Sequence, residues 1–127
     1  MKQKTVFISG HFNVLHPGHL RLFRFAKECG DKLIIGVEND QTAGNGAYVP
    51  ENLRLEGVQS NSWVDEAFLM RKPLVEILDK LKPDIIVKGK EHETKFNPEA
   101  EIVQKYGGKL LFGSGETVFS SIDLIPL

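Results

Sequence analysis

Thr5-Val6-Phe7-Ile8-Ser9-Gly10-His11-Phe12-Asn13-Val14-Leu15-His16-Pro17-Gly18-His19-Leu20 holds a strand, a turn and the first turn of a helix. Thr5 to Ser9 is a β-branched and aromatic run closed by Gly10, with the continuous apolar character of a parallel strand buried on both faces. Beyond the turn, Leu20, Leu22, Phe23, Phe25 and Ala26 recur at helical spacing, Arg21, Arg24 and Lys27 fall on another face, and Gly30 supplies a stop. Leu33-Ile34-Ile35-Gly36-Val37 is a second buried run, so the chain opens with a β-α-β unit. His16-Pro17-Gly18-His19 therefore lies at a strand-to-helix junction, where unpaired helix N–H groups and the helix dipole favour a bound phosphate. Two histidines three residues apart across the first turn reach one pocket, and Gly18 leaves no side chain to block close approach. A lone histidine here reads as a cap or core residue; this cluster favours anion binding. Four histidines with no acidic third ligand nearby in sequence argue against zinc.

The same reading extends outward. Pro50 to Ser60 is a weaker helix, Val64 to Met70 a short strand, Pro73 to Leu81 an amphipathic helix ended by Pro83, and Asp84 to Val87 a buried strand. Asn97 is an N-cap with Pro98 at the first helical position, Gly107-Gly108 ends that helix, and Lys109 to Phe112 is the last strand. Gln41 to Ala47, rich in glycine and asparagine, reads as a mobile loop. Alternating strands and helices predict an α/β, Rossmann-like, doubly wound parallel sheet of five strands in a single domain over residues 1–127, with ligands beyond the strands' carboxyl ends at the switch in strand order. A final helix begins just before Leu127, which suggests a domain excised from a longer protein.

Composition narrows the partners. With 16 basic and 17 acidic residues the formal net charge is -1, which provides no positive field for nucleic acid or an anionic membrane. Hydrophobic residues at 41% and charged residues at 26% are ordinary for a soluble globular domain. Cys29, the single cysteine, reads as a packing residue. Thr5 to Ser9 is too short for a signal segment, and no stretch approaches the roughly 18 apolar residues of a membrane span, so the cytoplasm is the expected location.

Gly10 to His19 resembles the G-x-F-[DN]-x-x-H-x-G-H signature of the cytidylyltransferase-like nucleotidyltransferases. The resemblance covers nearly the whole chain and is closest to glycerol-3-phosphate cytidylyltransferases and to the adenylyltransferase half of the bifunctional heptose-phosphate enzymes. Val37 to Asp40 is similar to the acidic end of that family's second strand. Val87-Lys88-Gly89-Lys90-Glu91-His92 is similar to its K-G-x-D segment, and Phe119-Ser120-Ser121 to the I-S-T-T motif that opens its last helix. The resemblance implies a phosphate of the acceptor attacking the α-phosphate of CTP or ATP in line, with magnesium accompanying the triphosphate and pyrophosphate released. It implies His16, His19 and Lys88 as the catalytic residues. Ser9, Gly10, Phe12, Asn13, Gly18, Gly89, Glu91, Ser120 and Ser121 would bind nucleotide, Asp40 and Arg54 the acceptor, and no protein-held metal is implied. The partners would be CTP or ATP and a small phosphorylated sugar or polyol, in a protein that admits a homodimer.

Three differences from the family bear on the acceptor and on CTP versus ATP. No Lys or Arg occurs between Lys32 and Arg54, where the family grips substrate phosphate and this chain has Gly44-Asn45-Gly46. Gly113-Ser114-Gly115-Glu116-Thr117 lacks the arginine that commonly precedes the serine-threonine motif, and Glu91 replaces the aspartate of K-G-x-D. These losses keep open a nucleotide-binding sensor or scaffold without turnover. A dinucleotide-dependent oxidoreductase fits poorly, because Gly44-Asn45-Gly46 lacks the third glycine of G-x-G-x-x-G and does not follow the first strand.

Overall fold

Side chains alternate across a strand. In β1 (Thr5–Gly10) this sends Val6 and Ile8 to one face of the sheet and Phe7 to the other. The same alternation in β2 (Lys32–Glu38) and β4 (Ile85–Gly89) separates Leu33, Ile35, Val37, Ile85 and Val87 from Ile34 and Ile86. The first face is covered by Phe23 and Ala26 of α1 (Pro17–Glu28), with Val58 contributed by a later helix (Glu51–Gln59). The second is covered by Leu78 of a helix at Leu74–Leu81 and Val103 of one at Pro98–Lys105. Burying one such Leu, Val or Phe side chain contributes about 1.5–3 kcal/mol, so two apolar faces on one sheet demand helices on both sides.

This computed structural model describes residues 3–113 and 119–120. In chain order the remaining elements are α2 (Asp40–Ala43), α3 (Glu51–Gln59), β3 (Glu66–Met70), α4 (Leu74–Leu81), α5 (Pro98–Lys105), β5 (Lys109–Gly113) and β6 (Phe119–Ser120), with 3-10 turns at Gly44–Gly46 and Lys90–His92. The strand order is β3-β2-β1-β4-β5-β6. The first five strands run parallel, with Val6 opposite Leu33 and Ile85, as the alternation of strands and helices predicts. Carboxylates pin strand starts: Asp84 accepts from the Thr5 amide at 2.8 Å, and Asp65 from the Leu33 amide at 2.7 Å. Among the described residues, no helix is long and apolar enough to cross a membrane.

Three local expectations change. Gln41 to Ala47 is built rather than loose: Asn39 caps α2 by accepting from the Thr42 amide at 2.9 Å, and Gly44 ends it at φ +56°, a conformation glycine tolerates. Asn97 stands at the N-cap position of α5 but makes no capping bond, because its side chain is engaged elsewhere. Phe119–Ser120 pairs antiparallel with β5 as a two-residue sixth strand, Ser120 opposite Phe112. Ser114 to Thr117, Ser121 and the expected final helix lie outside the described residues.

Candidate active site

The strand order reverses between β1 and β4, and beyond their carboxyl ends opens a cleft of about 580 Å³. Such a switch point is where open α/β sheets bind ligands. Ser9, Gly10, Phe12, Asn13, His16, His19, Lys88, Gly89 and Glu91 all line it. The sequence places these residues far apart; parallel pairing of β1 with β4 brings their loops together.

His16 is the N-cap of α1, in extended conformation, and its Nδ1 accepts the Gly18 amide at 3.0 Å. His19 reciprocates, its Nδ1 accepting the His16 amide at 3.2 Å. This is a capping box made of two imidazoles. A neutral imidazole whose Nδ1 accepts carries its proton on Nε2, so each ring keeps an Nε2–H for a ligand. The rings lie 3.9 Å apart and 34° from parallel. A Cβ on Gly18 would stand 2.8 Å from the His16 ring, so the glycine makes room for that imidazole. Burial first, then the neighbouring His16, hold His19 below the usual histidine value of 6.5, against an opposing pull from Glu91.

Phe12, buried at φ +56°, packs edge-on to His19 at 5.7 Å and to Phe23 at 5.6 Å. Asn13 ties down the facing loop: its amide donates to the Gly46 carbonyl at 2.7 Å, and its carbonyl accepts the Tyr48 amide at 2.9 Å. His11 stands 3.5 Å from Glu38. Lys88 is bound at 2.7 Å to the Asn97 carbonyl oxygen and at 2.9 Å to the buried Glu99 carboxylate.

Asp40 and Arg54 lie off the cleft lining. Arg54, fully buried, donates to the carbonyls of Val49, His11 and Glu38 and to Asp40. Its hydrogen bond holds the Asp40 carboxyl below the ordinary carboxylate range. Arg54 thereby ties the cleft-lining residues His11 and Glu38 to the segment before α3. Glu99 and Leu74 line the cleft without having been singled out from the sequence. Glu99 carries a sequence signal of its own, an acid in the first turn of a helix, but that signal points to the helix dipole and not to Lys88.

Residues 7–125 match the cytidylyltransferase-like family model. The chain belongs to the cytidylyltransferase-like family. That is a family of nucleotidyltransferases, as the signature at Gly10 to His19 implied. The bifunctional protein HldE of Marinomonas sp. is 34% identical over 95% of this chain, which spans 27% of that protein's length. The FAD synthase of Aciduliprofundum boonei is 32% identical over 94% of this chain and 91% of its own. Among solved structures, a lipopolysaccharide core biosynthesis protein from Thermoplasma volcanium is similar over 88% of this chain and 95% of its own, with 29% identity and a TM-score of 0.73.

Proposed function

We propose that the chain transfers a nucleoside monophosphate from CTP or ATP to the phosphate of a small sugar or polyol, with release of pyrophosphate. The observation that carries this is the imidazole capping box at the switch point: two Nε2–H donors beside the N-terminus of a phosphate-binding helix. An acceptor phosphate oxygen attacks the α-phosphorus, the bond to the β-phosphate oxygen breaks, and its electron pair leaves with pyrophosphate. No protein nucleophile is needed, so positioning and charge stabilisation carry the catalysis. His16 and His19 donate to oxygens around the α-phosphate, and Lys88 to a neighbouring phosphate.

Magnesium suits this arrangement as a companion of the triphosphate. Among the described residues no group of three His, Cys, Asp or Glu could hold a metal, and Mg²⁺ ordinarily takes one or two carboxylates plus substrate phosphates. Glu91 is the exposed carboxylate lining the cleft that would share it. The ion would neutralise phosphate charge.

FAD synthase, by its name, makes a dinucleotide of which AMP is one half, so ATP is the donor to test first. Purified protein with magnesium, ATP or CTP and a panel of sugar and polyol phosphates should release pyrophosphate, and His16→Ala should stop it. A second reading, a nucleotide-binding module without turnover, is favoured by the Glu99 carboxylate against Lys88 and by the absence of Lys and Arg between Lys32 and Arg54. Calorimetric nucleotide binding with no pyrophosphate from any acceptor would favour that reading; absence of nucleotide binding would remove both.

A further inference from the structure

Glu99 is the one buried carboxylate among the described residues, 5% exposed. Burying a carboxylate is costly unless a cation and hydrogen bonds compensate it, and Lys88 supplies that cation at 2.9 Å. The Lys88 side chain is 21% exposed and lines the same cleft, so this pair differs from solvated surface pairs, which are worth little. Asn97 completes the cradle. Its two amide hydrogens go to the carbonyls of His92 and Lys95, at 2.8 and 2.9 Å, so its oxygen must face Lys88, which it meets at 2.7 Å. An ammonium has three protons. One goes to the Asn97 oxygen, and the ammonium stands beside the Glu99 carboxylate at 2.9 Å while lining the cleft.

We infer that Glu99 is a positioning residue for nucleotidyl transfer: it fixes the Lys88 ammonium in the cleft and offsets its charge toward the incoming triphosphate. The inference rests on the nucleotidyl-transfer reading above. A lone lysine would grip substrate and pyrophosphate alike, which is uniform binding and does not speed the chemical step. A lysine backed by a carboxylate offers a directed donor with a weaker net field, so the nucleotide is oriented and the pyrophosphate still leaves.

Glu99→Gln preserves shape and an acceptor oxygen while removing the charge. It should tighten binding of the magnesium complex of ATP or CTP about tenfold by calorimetry, the scale of a close charge interaction, and lower kcat through slower pyrophosphate release. In a Lys88→Met background there is no ammonium for Glu99 to fix or offset, so adding Glu99→Gln should change affinity less than about twofold. Glu99→Asp, which keeps the charge but withdraws it by one methylene, should lower kcat severalfold with nucleotide affinity near wild type, and it serves if the glutamine variant does not fold. A merely structural role would lower the unfolding temperature without tightening nucleotide. Wild type that binds nucleotide alongside a Glu99→Gln variant of unchanged affinity, or equal tightening with and without Lys88, overturns this inference alone. Wild type that binds neither nucleotide overturns it together with the proposed function.

Discussion

Arg54→Met keeps the long unbranched stem and removes a guanidinium that joins three loops. Nε donates to the Val49 carbonyl at 2.7 Å, and Nη1 to those of His11 at 2.8 Å and Glu38 at 2.6 Å. Setting aside the bond to exposed Asp40, three backbone acceptors lose a charged donor inside a fully buried environment. A hydrogen bond to a charged group is worth about 1.5–3 kcal/mol, but the methionine gains from apolar burial and water reaches the loop carbonyls, so a net loss of about 3 kcal/mol is expected. For a domain of this size that corresponds to a fall in Tm of about 10 °C. Urea unfolding followed by circular dichroism measures it, with Arg54→Lys as a control that recovers part of the loss, since an ammonium cannot reproduce the fork. Nucleotide affinity should fall in parallel because the same loops carry His11 and Asn13. A loss below about 1 kcal/mol would refute the view that Arg54 holds the cleft's loops.

Other outcomes follow from the capping box and its surroundings. His16→Asn retains a good N-cap and should keep stability within about 0.5 kcal/mol of wild type while abolishing pyrophosphate release, whereas His16→Ala should lose about 1 kcal/mol as well; equal activity in the asparagine variant would reduce His16 to a cap. Because burial and His16 lower the His19 value, the unfolded chain binds more protons than the folded one between that lowered value and 6.5. Stability of the free protein should therefore fall as pH drops below 6.5, and His19→Asn should flatten that part of the unfolding profile; an unchanged profile counts against the half-buried neutral imidazole. Gly46→Ala places a methyl 2.5 Å from the His11 ring, so His11 must swing away from Glu38. The His11 side chain is 42% exposed and can yield into solvent, so stability should change by less than about 1 kcal/mol while nucleotide affinity falls, measurable by denaturation and calorimetry.

Much of the fold was legible because it depends on local pattern. Continuous apolar runs at Thr5–Ser9, Leu33–Val37 and Asp84–Val87 signal strands buried on both faces, and the helical spacing after Gly18 signals the covering helix. What local pattern misjudged was side-chain allegiance. Asn97 before Pro98 has every mark of an N-cap, yet Lys88 and two loop carbonyls claim its amide. Arg54 in a weakly amphipathic helix looks like a free cation within reach of an acceptor, and the structure buries it against backbone carbonyls. Gln41 to Ala47 looks unstructured by composition, and Asn39 caps it into a helical turn.

The sequence by itself determined the β-α-β opening, the placing of His16 and His19 on one helical turn, and the family, because each of these depends on residues close along the chain or on a contiguous signature. Only the tertiary structure decided that Lys88 faces Glu99 and Asn97, that Asn13 holds Gly46 and Tyr48, and that the ends of β1 and β4 share one cleft. Those contacts join segments whose distance in space is set by strand order and by which side of the sheet each helix covers. A buried charge takes its partner from what that packing brings within about 3 Å, and local spacing does not encode it.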